Sequence, residues 1–171
     1  PSVEVLRAAL VQDIDRYRRE RNRGTVNPFR PDLFDGEEGI VQIGDGSLGG
    51  KGRGLAFASR LLDEARLPER FPGVRVTVPA AVVVGTGVFE EFLEARGLRA
   101  FALQCEDEAE TLKRILEARL PAEARRALER VVSVFRGPLA VRSSSLLEDS
   151  PQQPRAGVYG TWLLPNDHPD P

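Results

Sequence analysis

Six glycines crowd into eleven residues, Gly44, Gly46, Gly49, Gly50, Gly52 and Gly54. They follow directly on Ile40-Val41-Gln42-Ile43, which reads as a short strand. Behind them Leu55, Ala58 and Leu62 share one face of a helix. A strand that turns through glycines into a helix is a narrow structural demand. Glycine admits positive φ and lets other groups approach the backbone, and a helix start offers unpaired N–H groups with a partial positive charge. Lys51 stands inside this turn. Of the 24 cationic side chains only Lys51 and Lys113 are lysines, and Lys113 sits among Glu110, Arg114 and Glu117 on what reads as a solvated helix face. A chain that uses arginine for nearly every cation thus sets a compact ammonium between glycines. Together with the helix start, this is the combination that phosphate binding needs.

Two phosphate motifs can be compared with the loop. The P-loop pattern G-x-x-x-x-G-K-[ST] is excluded, because Gly46 and Gly50 stand one residue too close and Gly52 replaces the hydroxyl that would hold magnesium. Gly44-x-Gly46-x-x-Gly49 matches the dinucleotide fingerprint behind a strand. The acidic residue expected about 20 positions on, at the end of a second strand, is missing, since Asp63 and Glu64 fall on the helix. A flexible glycine turn with Lys51 in solvent is the alternative without a ligand.

A second signal lies far downstream. Leu139-Ala140-Val141 predicts a buried strand that delivers Arg142 at its end, followed by Ser143, Ser144 and Ser145. A guanidinium there can grip phosphate oxygens through two parallel hydrogen bonds, and the serines add hydroxyls and backbone N–H groups. The alternative is Arg142 paired with Glu148 or Asp149 and the serines in a turn. The residues alone leave both open.

Around these signals the patterning predicts a mixed α/β chain. Val3, Leu6, Leu10, Ile14 and Tyr17 recur at helical spacing as far as about Gly24. Arg16, Arg18, Arg19, Arg21 and Arg23 crowd the end of that helix, where cations complement the dipole; an RNA- or phosphate-binding patch is the other reading. Asn27 to Gly39 is a Pro/Asp/Gly-rich connector. Val74, Val76 and Val78 alternate, Pro79 interrupts, and Ala80 to Val84 runs apolar, which predicts two short strands or one broken by the proline. Three helices follow. One is N-capped by Thr86, carries Phe89, Phe92 and Leu93, and stops at Gly97. One is opened by Glu106 to Glu110, with Leu112, Ile115 and Leu116 inward. One has Pro121 in its first turn and Leu128, Val131, Val132 and Phe135 toward the core. Val158 to Leu164 is a final strand, forming a hairpin with the Arg142 strand around the polar segment 143–157. Pro151, Pro154 and Gln152-Gln153 predict mobility in that segment.

With 41% apolar and 29% charged residues over 171 positions, the chain has the make-up of a folded domain with a real core. No apolar run approaches the roughly 18 residues of a membrane helix. Cys105 stands alone and cannot close an internal disulfide, and no Cys/His spacing reads as a zinc site, so a cytoplasmic compartment is expected. A formal net charge of −2 is a poor footprint for nucleic acid. The absence of methionine, the start at Pro1 and the proline-rich end at Pro171 point to a segment of a longer polypeptide. His168 lies in that end stretch without a scaffold, an unpromising position for catalysis.

In chain order, Gly49-Gly50-Lys51-Gly52, Val78-Pro79 with Val82 to Phe89, Val141 to Ser144, Glu148-Asp149, and Ala156-Gly157 with Thr161 and Asn166 form one set. The set resembles the N-terminal nucleotide-binding domain of the phosphoenolpyruvate synthase and pyruvate phosphate dikinase family over about residues 40–166. Arg53, Leu146-Leu147 and Arg155 depart from the family's usual residues and leave the phosphate acceptor open. The resemblance implies the first lobe of an ATP-grasp-like domain, a mixed sheet flanked by helices. It divides the chain into a leading helix and connector (1–38), an incomplete nucleotide-binding subdomain (39–166) and a tail (167–171).

The resemblance also implies a site. Lys51 and Arg142 would contact the phosphates of ATP, with Gly49, Gly50, Gly52, Ser143, Ser144, Gly157 and Thr161 around them. Glu148 and Asp149 are secondary candidates for Mg2+, whose main ligands belong to a second lobe. The implied partners are ATP and, in the same polypeptide, that second lobe, a phosphohistidine domain and a phosphoenolpyruvate/pyruvate domain. Phosphate would pass from ATP to a histidine carrier and on to pyruvate. This segment by itself is expected to bind ATP weakly and to turn nothing over. Antibiotic- or glucan-phosphorylating dikinases are the near alternative, and a non-catalytic nucleotide-binding or interaction module the far one. All of this requires that Lys51 and Arg142 converge on one triphosphate.

Overall fold

The computed structural model describes residues 3–22, 25–37, 39–74, 76–145 and 159–167, without the side chains of 12, 14–22, 68 and 69. Gly24, Leu146-Leu147, Glu148, Asp149, Arg155, Gly157 and His168 lie outside the described residues, as do the arginine side chains at the end of the leading helix and most of the segment 143–157.

The fold is α/β. Its centre is β2 (Ile40–Ile43), in which Ile40, Val41 and Ile43 are all buried. A strand covered on both faces carries apolar residues at neighbouring positions rather than alternating ones, as Ile40 and Val41 do; Gln42 is the one polar residue and is only half-buried. β1 (Val26–Pro28) and β3 (Ala81–Val84) lie on either side of it, both parallel. Val26 to Pro28 pair with Ile40 to Gln42, and Ala81 to Val84 with Ile40 to Ile43. β1 overlaps the start of the expected connector. It is three residues long and ends in Pro28, which an edge strand tolerates.

Val74, Val76 and Val78 belong to none of the strands among the described residues. β3 begins only at Ala81, beyond Pro79, and Val74 and Val76 are exposed.

Seven helices accompany the sheet among the described residues. α1 (Val3–Asn22) leads the chain, with Val3, Leu6 and Leu10 exposed. α2 (Gly49–Glu64) and the short α3 (Leu67–Arg70) connect β2 to β3. α4 (Thr86–Glu94), α5 (Leu98–Gln104), α6 (Glu108–Glu117) and α7 (Ala122–Val134) follow. α5 was not expected. Gly97, read as a stop, is also the left-handed N-cap of α5 at φ 63°. α6 is capped by Asp107, which accepts from the N–H groups of Ala109 and Glu110. Leu112 and Leu116 of α6 are exposed rather than inward, and Arg114 packs over the ring of Phe101 at 4.2 Å, tying α6 to α5.

The core forms where the sheet meets α4 and α7. Phe34, Val41, Ile43, Val88, Ala124, Ala127 and Val131 are buried together, with Phe29, Val82, Leu128, Val134 and Phe135 packed against them. The Phe34 ring lies 5.0 Å from Phe29 and 5.6 Å, edge-on, from Phe135. Arg130 donates to the carbonyls of Pro31 and Phe34, so the segment ahead of β2 is tied to α7 as well as buried beneath it.

β4 (Leu139–Arg142) and β5 (Thr161–Leu164) form the expected antiparallel pair, a ribbon separate from the parallel sheet. Parallel and antiparallel pairing thus both occur. The ribbon is not buried: Val141, Trp162, Leu163 and Leu164 are exposed. A two-stranded ribbon covers neither of its own faces, so the apolar run Leu139-Ala140-Val141 does not report burial here as it does in β2. The far end of the ribbon is tied to α7. The Asn166 side-chain amide donates to the carbonyls of Val132, at 3.3 Å, and Phe135, at 2.7 Å.

Candidate functional site

Beyond Ile43 the chain turns through Gly44, Gly46 and Gly49 at φ 71°, 84° and 72°, a region that side chains rarely enter. The loop is stitched to the start of α4. Ser47 N donates to Thr86 Oγ1 at 2.9 Å, Thr86 N to Ser47 O at 3.1 Å, and Gly87 N to Asp45 O at 3.1 Å. Thr86 is therefore not the helix cap that its position suggests. The N-cap of α4 is Gly85, with no side-chain cap, and the threonine hydroxyl serves the glycine loop instead.

The loop delivers the chain into α2, with Lys51 in its first turn. Lys51 is half-buried and its Nζ is shielded from solvent, so a turn with a solvated lysine is not what the chain forms. The amides of this turn are engaged. Gly49 N donates to Ser47 Oγ at 3.2 Å, Gly50 N to Ser144 O at 2.9 Å, and Gly52 N to Ser144 Oγ at 2.9 Å. Ser144 Oγ in turn donates to Leu48 O at 2.6 Å. Arg53 donates to Ser47 Oγ at 2.9 Å. The two sequence signals, 90 residues apart in the chain, are thus in direct contact.

Gly49 is required by that contact. A Cβ at this position would lie 1.5 Å from the carbonyl oxygen of Ser144. Two demands fall on this one residue, its φ of 72° and the close approach of another chain segment.

Arg142 ends β4, exposed, and pairs across the ribbon with Thr161. Ser143 Oγ accepts from Ser145 N at 3.2 Å, a bond that uses a lone pair and leaves the proton to donate elsewhere. Tyr159 donates from its hydroxyl to Ser145 Oγ. The fold therefore brings Gly49, Gly50, Lys51 and Gly52 against Ser144, and Arg142 against Thr161. Gly157, Glu148 and Asp149 lie outside the described residues. Among the described residues no three His, Cys, Asp or Glu side chains gather to hold a metal ion. Nor is any described helix long and apolar enough to cross a membrane.

A cavity of about 600 Å³ opens beside the same loop, with Ile43, Gly44, Asp45, Gly87, Val88 and Ala127 in its wall. Lys51, Arg142, Ser143, Ser144 and Thr161 do not line it. The candidate phosphate residues and this cavity are therefore in different places.

Comparison with known proteins matches the chain to a family. Its description is "Pyruvate phosphate dikinase, AMP/ATP-binding domain", and its match runs over residues 45–169, well over half of the chain. That span takes in the glycine loop, the α2 start, Arg142 and the ribbon, and it nearly coincides with the stretch over which the motifs were read. Neither the curated proteins nor the solved structures returned a match. The chain belongs to the pyruvate phosphate dikinase AMP/ATP-binding domain family.

Proposed function

We propose that the chain is the ATP-binding portion of a phosphotransferase of the phosphoenolpyruvate synthase and pyruvate phosphate dikinase type. Lys51 and Arg142 bind the triphosphate. The Ser143 hydroxyl, Thr161, the Gly157 segment and the backbone at Gly49, Gly50 and Gly52 complete the surroundings of the phosphates. Phosphoryl transfer depends mainly on positioning and charge neutralisation, and two cations on one polyphosphate supply both. The observation that carries this reading is the bond from Gly50 N to Ser144 O at 2.9 Å, next to Lys51 on one side and two residues from Arg142 on the other.

The amides of Gly50 and Gly52 already serve Ser144. The phosphates are therefore held first by side chains and only second by the helix start. Mg2+ arrives with ATP, and its protein ligands belong to other parts of the polypeptide, with Glu148 and Asp149 the candidates in this chain. The acceptor, pyruvate by way of a histidine carrier, is likewise a matter for those other parts.

Calorimetric titration of MgATP into the chain and into Lys51→Ala and Arg142→Ala tests the assignment. Each substitution is expected to weaken binding by about tenfold or more, roughly 1.4 kcal/mol. Equal binding by all three proteins would remove the phosphate roles.

A further inference from the structure

Building on that reading of Lys51 and Arg142, we infer that Ser144 is a positioning residue. It holds the end of the Arg142 strand against the start of the Lys51 helix, and it does so without touching phosphate itself.

The hydrogen-bond inventory of one serine carries the inference. Its hydroxyl has a single proton, and that proton is given to Leu48 O at 2.6 Å. The oxygen accepts from Gly52 N and the backbone carbonyl from Gly50 N. The phosphate oxygens of ionised ATP are acceptors, so Ser144 Oγ has nothing to offer them while the bond to Leu48 stands. What it does instead is bracket Lys51, binding the N–H groups of the residues immediately before and after it. Arg142 is two residues earlier, at the end of β4.

Apolar packing is poorly placed to do this work. Val141, Trp162 and Leu163 of the ribbon are 51%, 70% and 76% exposed. The described polar links of the ribbon region run to α2 through Ser144 at one end and to α7 through Asn166 at the other. Only the first lies at the Arg142 end. Gly49 adds a steric condition, since its missing side chain is what lets the Ser144 carbonyl come so close.

A pure phosphate ligand and a positioning residue differ in how they affect other residues. If Ser144 aligns two cations on one polyphosphate, Lys51→Ala and Arg142→Ala are coupled in MgATP binding when Ser144 is present and become additive when it is absent. The experiment is that double-mutant cycle, measured by calorimetry in the unaltered chain and in Ser144→Ala, with amide exchange followed at Gly50 and Gly52.

Ser144→Ala is expected to bind MgATP about tenfold more weakly, to speed exchange at both amides and to abolish the coupling. Ser144→Thr, which keeps the hydroxyl, is expected to recover most of the affinity. If the alanine variant does not fold, Ser144→Cys keeps the carbonyl link with a weaker hydroxyl substitute and is read in the same way. Unchanged affinity in Ser144→Ala, or coupling that persists in its background, would overturn the inference and leave the roles of Lys51 and Arg142 standing. Failure of the unaltered chain to bind MgATP would overturn both.

Discussion

Gly49 and Gly54 belong to one glycine-rich stretch and meet opposite surroundings. A Cβ on Gly49 would lie 1.5 Å from the Ser144 carbonyl, at a backbone φ of 72°, whereas a Cβ on Gly54 would meet nothing within 4 Å. Gly49→Ala must both enter the left-handed region, at about 1–2 kcal/mol, and push the serine segment away from α2, at about 1–3 kcal/mol more. Gly54→Ala sits inside α2 and gains helix propensity, so it is expected to stabilise the chain by up to about 1 kcal/mol. Urea titrations of the two variants should move the midpoint in opposite directions. Equal shifts would show that neither the left-handed backbone at Gly49 nor the Ser144 contact forms. Lys51 and Arg142 stood out in the sequence as candidates because the chemistry proposed for them is carried by residue type and immediate neighbours. Ser144 was legible only as a polar residue, because the partners of a hydroxyl are decided by what the fold brings to it, here a helix start more than 90 positions earlier.

At the scale of elements, apolar spacing located β2, α2, α4, α6, α7 and the late hairpin, each with apolar residues at a regular spacing. It failed where an element is too short to show a period, as in β1 and α5. It also failed where apolar residues are not covered, as at Leu112 and Leu116 of α6 and along the ribbon. The end of α7 shows what fixes an element when periodicity does not. The last carbonyls of a helix lack partners within it, and Asn166 donates both amide hydrogens to the carbonyls of Val132 and Phe135. Asn166 itself sits at φ 46°, a conformation that asparagine tolerates. Asn166→Gly keeps that backbone and removes only the amide, so its expected cost of about 1–2 kcal/mol reports the two hydrogen bonds. Asn166→Asp places a carboxylate against carbonyls at the negative end of the helix dipole and is expected to cost more than the glycine variant at neutral pH. Thermal denaturation of the pair checks the order; an aspartate as stable as the native asparagine would mean that the cap is not made.

At the scale of the molecule, the buried core and the proposed binding residues lie in different regions. The buried cluster around Phe34, Val41 and Ile43 joins the parallel sheet to α4 and α7, while the Arg142 ribbon stands outside it with its apolar side chains in solvent. Composition could not separate these regions, because a tryptophan in a strand with leucines reads as core wherever it falls. The separation makes a prediction opposite to residue size and hydrophobicity. Phe34 is 2% exposed and Trp162 70% exposed. Phe34→Ala should therefore lose about 3–5 kcal/mol of stability, and Trp162→Ala should stay within about 0.5 kcal/mol of the native chain. Trp162 is the only tryptophan, which supplies an independent readout. Its emission should already be that of a wet indole in the folded chain and should shift little as urea abolishes the far-ultraviolet circular dichroism. A blue-shifted emission that moves together with unfolding would place the ribbon inside the core, and the polar link at Ser144 would then no longer be needed to hold Arg142 in place.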